Sequence, residues 1–419
     1  IIKVIILNVV KCRFNKLFIT LKVKPAFLRQ YMNRYAFGRF ALPTQRKHFY
    51  RMAAFNQLMR CAQHIALHAA EGKVLKNDEC KFQCVINPAR KMIIVCENSV
   101  MKRILLVKTS SLGDVIHNLP VVTDILQHHP DAQIDWVVEE GFADIPKLHP
   151  AVKQIFTVAV RRWRKQLFNQ KTWREMSAFK KQVSQQPYDL VIDTQGLVKS
   201  AVIASFAKGI KSGMDKQSAR ESIASYFYDT KHHVARNQHA VIRNRELAAY
   251  ACGYDKPTNA PSYNIAASTH AIDLPKMFVI GLHATSKDTK LWPTSHWVAL
   301  AKQLAKQKLH LALPWASDAE HHRALMIAKN LANVVVLPKL SIARLASVIQ
   351  QAYAAVGVDT GLSHLSVALN IPTVAIYTDT NPSLTGVMAS AQGEIINIGG
   401  VKQIPDVASV LDAMHTVKA

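Results

Sequence analysis

The sequence predicts an α/β protein made of two doubly wound, Rossmann-like domains that face each other across a central cleft. Three observations carry that prediction. Short apolar runs rich in Val, Ile, Leu and Ala alternate with longer amphipathic segments, the pattern of a parallel sheet covered by helices on both faces. The alternation occurs twice, on either side of a polar, Pro- and Asn-rich stretch, KPTNAPSYNI at 256–265, which reads as a linker. Several apolar runs end in small polar or charged clusters, where open parallel sheets bind ligands.

The elements follow in order. MKRILLVKTSSLGDVIHNLP, from Met101, reads as a buried strand over Ile104–Val107, a turn containing Gly113 and a helix from about Asp114. QIDWVVEE is a second strand, and IFTVAV, YDLVID and VIASFAKG continue the alternation. Beyond the linker, FVIGLHA, LHLALPW, NVVVLP, YAAVGVDT and TVAIYTD read as strands. WVALAKQLAKQ, HHRALMIAKNL, SIARLASVIQQA and HLSVALN read as the helices between them, and IPDVASVLDAMHTV as a terminal helix. The expected domains are 101–262 and 263–419.

Residues 1–100 have a different composition. They hold 18 Lys/Arg against 4 Asp/Glu, or +14 of the total +25, and five of the six cysteines. All six tryptophans lie beyond residue 100. The cysteine spacing fits no regular zinc motif, and no uncharged stretch is long enough to span a bilayer. One amphipathic helix is expected over 53–70 and one strand over 92–96. The plainest expectation is an atypical basic, Cys-containing extension without a fold of its own, translated from upstream of the true start. A basic accessory segment that touches membrane, and a metal or nucleic-acid module, are the alternatives.

The strand ends carry the candidate chemistry. After the first strand come Lys108, Thr109, Ser110, Ser111, Leu112, Gly113 and Asp114. Gly113 allows a tight turn or a close approach. Asp114 either caps the helix or acts as a base toward a hydroxyl across the cleft. Neither a GxGxxG fingerprint nor a GxxxxGK[ST] loop is present, which argues against a dehydrogenase or nucleoside triphosphatase. In the second half, Thr285, Ser286 and Lys290 follow the first strand and would suit a diphosphate; a solvated turn is the alternative. Glu320 opens a helix, where it would bind a ribose or simply favour the helix dipole. VGVDTGLSHL places Asp359 at a strand end, Gly361 and Thr360 beside it and His364 one turn on. A charge there is costly unless it is functional or locally bonded. Residues 161–181 carry eight Lys/Arg and one acid, with Trp163, Leu167, Phe168, Trp173 and Phe179 interleaved. Such a segment suits an anionic membrane face or a nucleic-acid backbone.

Taken together, MKRILLVKTSSLGDVIHNLP, IDWVVEEGFADIP, VAVRRWRK, VIDTQGLVKSA, KHHVARNQHAV, HATSKDTKLWP, LPWASDAE and VDTGLSHL closely resemble the lipopolysaccharide heptosyltransferase I family. These are inverting glycosyltransferases of the GT-B fold. The likeness covers about residues 101–419 and leaves out 1–100; Met101 stands where such an enzyme would begin. The resemblance implies transfer of heptose from ADP-L-glycero-β-D-manno-heptose to the inner Kdo of Kdo2-lipid A, with neither cofactor nor metal. It implies a monomer on the cytoplasmic face of the inner membrane of a Gram-negative bacterium. Asp114 resembles the general base and Lys290 the lysine that pairs with donor phosphate. Thr285, Ser286, Glu320, Asp359, Thr360, Gly361 and His364 resemble the donor site. Arg161, Arg162, Arg164 and Lys165 resemble a mobile basic loop facing the phosphorylated acceptor, and Ser110 and Gly113 are expected on the acceptor side. The resemblance also favours a phosphorylated lipid over nucleic acid as the target of the basic segment. Two rival classes remain: another nucleotide-sugar enzyme of the same fold, such as a 2-epimerase, and a non-enzymatic polyanion binder.

Overall fold

The computed structural model describes residues 8–9, 16–21, 82–87, 91–97, 103–268 and 272–418. The chain divides into two compact units, Ile1–Val100 and Met101–Ala419. In the first, the strands Asn8–Val9, Lys16–Leu21, Phe82–Asn87 and Lys91–Glu97 pair antiparallel. The strand expected over 92–96 falls within the last of these; the helix expected over 53–70 lies outside the described residues.

The second unit holds two six-stranded sheets. The first domain contains β1 (Arg103–Val107), α1 (Leu112–Ile116), α2 (Leu119–His128), β2 (Gln133–Glu139), β3 (Val152–Val158) and α3 (Val160–Trp163). It continues with α4 (Gln170–Val183), β4 (Pro187–Asp193), α5 (Val198–Ser205), β5 (Lys208–Met214), β6 (Thr230–His232) and α6 (Ala240–Cys252). The second domain contains β7 (Phe278–Leu282), α7 (Thr294–Lys306), β8 (His310–Leu313), α8 (Asp318–Ala328), β9 (Val334–Val336) and α9 (Ile342–Gln350). It ends with β10 (Ala354–Val358), α10 (Gly361–Ala368), β11 (Thr373–Tyr377), β12 (Ile395–Gly399) and α11 (Val407–Thr416).

The strand orders are β3-β2-β1-β4-β5-β6 and β9-β8-β7-β10-β11-β12, all parallel. Each is the doubly wound Rossmann order, in which the winding reverses between the first and fourth strands. The central strands are buried along nearly their whole length: Ile104, Leu105, Leu106 and Val107 in β1, and Ala354, Ala355, Val356 and Val358 in β10, are sealed from solvent. Covered on both faces, they must be continuously apolar, which is why they were conspicuous in the sequence. Reversal places the carboxyl ends of β1 and β4 in one domain, and of β7 and β10 in the other, at the crevices where such sheets bind ligands.

Candidate active site

In the first domain, α1 starts immediately after the β1 end. Asp114 Oδ2 accepts hydrogen bonds from the Ser111 backbone N–H at 2.8 Å and the Ser111 hydroxyl at 2.9 Å. The capping reading of Asp114 is therefore met by one oxygen, and the carboxylate remains half-buried at the strand end. The loop before it is held by Gln195, at the end of β4, whose Oε1 accepts from the Thr109 and Ser110 amides at 3.0 and 3.2 Å. Asp193 is sealed beneath and accepts from Gln195 N, Ser200 Oγ and Tyr228 OH. Burial raises its pKa, and those hydrogen bonds oppose the rise. Lys108 is buried as well; its ammonium donates to the Thr194 carbonyl at 2.8 Å, and desolvation lowers its pKa.

Basic groups gather beside this loop. Lys199 Nζ donates to Ser110 Oγ at 3.1 Å. Its pKa is lowered, first by burial; Glu139 opposes and the nearby charges of Arg161 and Arg164 reinforce the fall. Arg161 and Arg164 are exposed on α3 and its end, as is Lys165. Arg162 is the member of that cluster the structure takes away: its guanidinium bonds Glu140 at 3.0 Å and Glu175 at 2.8 Å. Glu175 also accepts from Trp163 Nε1 at 2.8 Å. Arg162 thus secures α3 to α4 and has little charge left for a ligand.

In the second domain, Lys290 and Asp359 form an ion pair at 2.6 Å at the β10 end. Thr380 Oγ1 donates to the same carboxylate oxygen at 2.6 Å, and Thr285 Oγ1 to the Asp359 carbonyl at 2.9 Å. The strand-end charge is thus locally bonded, as its burial requires. Thr360 is the N-cap of α10, yet its side chain makes no capping bond. The Ser363 amide donates to the Thr360 carbonyl at 3.1 Å, which leaves the amides of Gly361 and Leu362 as donors for an anion. Ser286, in the loop after β7, is exposed. Glu320 caps α8: Oε2 accepts from the Ala316 and Ser317 amides at 2.7 and 3.3 Å, and Ser317 Oγ accepts from the Glu320 amide. The helix-capping alternative for Glu320 is present in the structure, with Oε1 left for other partners.

Two glycines bring the halves together. A Cβ on Gly113 would lie 3.1 Å from His364 Cδ2 and 3.8 Å from the Gly361 Cα; one on Gly361 would lie 2.6–2.7 Å from Leu112 side-chain atoms. A side chain at Gly361 would force the two helices apart, and one at Gly113 would press on the His364 ring, so both glycines let α1 and α10 cross closely. His117 Nε2 meets His364 Nδ1 at 3.0 Å across the contact. Sequence reasoning placed Gly113 on the acceptor side and His364 by the diphosphate; the structure places both in the contact between the domains. It also adds Lys199 and Gln195, whose roles depend on contacts between distant segments. Among the described residues, no three His, Cys, Asp or Glu side chains converge as a metal site.

A family model described as "Glycosyltransferase family 9 (heptosyltransferase)" matches residues 176–409. The chain is 48% identical over 288 residues to lipopolysaccharide heptosyltransferase 1 of Escherichia coli K12, covering 68% of this chain and 90% of that protein. Among solved structures it is similar to E. coli heptosyltransferase WaaC with ADP, with a TM-score of 0.70 and 42% identity over 76% of this chain and all of that one. WaaC with ADP-2-deoxy-2-fluoro heptose gives a TM-score of 0.67 at the same identity and coverage.

Proposed function

Because the chain belongs to glycosyltransferase family 9, the heptosyltransferases, we propose that its cleft transfers heptose from ADP-heptose to the inner Kdo of Kdo2-lipid A with inversion. The chain is a heptosyltransferase of the lipopolysaccharide inner core and uses a GT-B pair of Rossmann-like domains. The observation that supports the assignment of roles is the crossing of α1 and α10, where Asp114, Asp359 and Lys290 all act electrostatically on His364.

Asp114 takes the proton of the Kdo hydroxyl as that oxygen attacks the anomeric carbon from the face opposite ADP. The bond from that carbon to the phosphate oxygen breaks as the new bond forms, and its electron pair leaves with ADP. A single displacement of this kind turns a β donor into an α product. Negative charge grows on the diphosphate, where Lys290, the hydroxyls of Thr285, Ser286 and Thr360, and the amides opening α10 from Gly361 stabilise it. Asp359 holds Lys290 and contacts the heptose; Glu320 receives the ribose through its remaining oxygen. On the acceptor side, Lys199, Arg161, Arg164 and Lys165 face the anionic Kdo and lipid phosphate.

A lipid-borne acceptor requires the first domain to meet a membrane surface. Leu167, Phe168 and Trp173 are exposed by 49%, 104% and 58%. They are flanked by exposed Arg164, Lys165, Lys171 and Arg174. An apolar tip ringed by cations suits the headgroup region of an anionic bilayer. No helix among the described residues is long and apolar enough to cross a membrane.

The direct test is product analysis after incubation with ADP-heptose and Kdo2-lipid A. A gain of one α-linked heptosyl residue is expected. Epimerised donor, or hydrolysed donor without any heptosyl lipid, would refute the assignment.

A further inference from the structure

The contact between α1 and α10 contains a buried imidazole pair. His117 follows α1 as its C-cap, one turn after Asp114, and His364 lies in the first turn of α10. Their rings meet edge-on at 4.4 Å between centroids, with Nε2 of His117 3.0 Å from Nδ1 of His364. Both are under 10% exposed. His239 stands 5.6 Å from the His117 ring; its Nδ1 accepts the Val241 amide and its Nε2 bonds the Gly386 carbonyl. That pattern defines His239 as a neutral imidazole with hydrogen on Nε2. The other charged groups facing the pair are Lys108, on the His117 side, and Asp359, Asp114 and Lys290 around His364.

A bond between two neutral imidazoles determines both tautomers at once, because each ring carries a single hydrogen. His117 Nδ1 is buried and has no partner among the described residues. If His364 Nδ1–H were the donor, the hydrogen of His117 would sit on that Nδ1 as an orphaned buried N–H. If His117 Nε2–H is the donor, His117 Nδ1 keeps only a lone pair, and the unmatched N–H falls on His364 Nε2, which unlike His117 Nδ1 is not sealed from solvent. Buried N–H groups without acceptors are the rarer and costlier case. The second arrangement therefore holds, and it obliges His364 to carry its hydrogen on Nε2. That nitrogen makes no bond among the described residues, and His364 lies among Asp114, Asp359 and Lys290.

We propose that His117 is a positioning residue acting across the cleft. By donating to His364 Nδ1 it locks His364 as the Nε2–H tautomer and aims that N–H at an anionic oxygen of the nucleotide-sugar donor. Because the two imidazoles belong to different domains, this donor is set only while the cleft is closed, when the Asp114 base is also in place. Closure thus couples the base to stabilisation of the leaving group, and a donor bound to an open cleft is less prone to hydrolysis. The inference rests on heptosyl transfer as the reaction.

The test uses the full chain in two measurements. Long-range correlation of ring 15N with carbon-bound protons reports the tautomers of His117 and His364 directly. Hydrogen on Nε2 of both is expected in the wild type, and a mixture at His364 in His117→Ala. Steady-state transfer should show kcat of His117→Ala lowered roughly 10–100-fold, with KM for ADP-heptose changed less than about threefold. His117→Gln, whose amide N–H can still donate to His364 Nδ1, should recover most of the loss. A hydrogen on His364 Nδ1 in the wild type overturns the proposal, and so does a kcat of His117→Ala equal to wild type. If His117→Ala does not fold, the wild-type tautomers and His117→Gln still decide. If the wild-type chain transfers no heptose, the functional reading fails, and the tautomer measurement still tests the imidazole pair separately.

Discussion

In the proposed reaction Asp114 serves two purposes with one carboxylate. Its Oδ2 reaches back to Ser111 and ends the β1–α1 turn, while Oδ1 takes no bond among the described residues. Asp114→Asn separates the purposes, because an amide oxygen still accepts the Ser111 amide but cannot take a proton. We expect unfolding stability to change by less than about 1 kcal/mol and turnover to fall at least ~10²-fold. Denaturant unfolding beside steady-state kinetics checks both; stability lost with turnover retained would make Asp114 a cap alone. Lys290→Ala removes the ammonium at the α10 N-terminus and leaves Asp359 without its ion-pair partner. Both ADP affinity and kcat should fall, by roughly tenfold or more each, as titration calorimetry and kinetics would show. Asp359 stands out in the sequence because a charged residue directly after an apolar run marks a strand end, whereas Asp114 and Lys290 lie seven and eight residues beyond theirs and rest on the family resemblance. Gln195 and Lys199 were not legible, because the partners that give them meaning are remote in sequence: the Thr109 and Ser110 amides, and Ser110 Oγ; for His117 the sequence left open a place near the cleft or in the packing, and only its contact with His364 distinguishes them.

At the scale of elements, burial decides what could be read. β1, β7 and β10 are sealed and stand out as unbroken apolar runs. β5, with the sequence KGIKSGM, has two lysines and two glycines, and lies next to the edge strand β6, which has three residues. Neither gives a recognisable apolar period, and both were missed. α4 reads as a basic amphipathic helix, and the structure sorts its aromatics: Phe179 packs into the core while Trp173 stays outside, its indole N–H on the Leu167 carbonyl at 2.7 Å. That bond pins the apolar tip to the start of α4. Replacing Phe168 and Trp173 together by Ser should lower binding to phosphatidylglycerol vesicles at least about tenfold. Transfer to a detergent-dispersed or truncated acceptor should persist. Co-sedimentation with vesicles checks this; unchanged binding would move the membrane contact elsewhere.

For the whole molecule, the +25 of the sequence is a poor guide, since +14 of it belongs to residues 1–100. Titration is more informative. His149, His283 and His364 are each held down to about 4, chiefly by burial. Unfolded, each takes up a proton below about 6.5. Between pH 6.5 and 4 the unfolded chain therefore binds protons that the folded one refuses. The stability these groups provide is complete above pH 6.5 and is lost as pH falls through that window. The slope is at most about 1.4 kcal/mol per pH unit for each histidine. Urea midpoints should decline steadily from pH 7 to pH 5; a flat profile would contradict the burial of these rings.

The inner strands of both sheets were evident from periodicity, whereas the contact that closes the cleft was not, because it depends on two glycines and an imidazole pair meeting across it. The proposed reaction stands on that meeting, with a base on one side and a charged leaving-group site on the other. Single-turnover transfer from ADP-heptose to Kdo2-lipid A by wild type and Asp114→Asn, with ADP affinity measured on both, tests it most directly. The account predicts an α-linked product from the wild type, none on the same timescale from Asp114→Asn, and equal ADP affinity. Near-normal transfer by Asp114→Asn would contradict it.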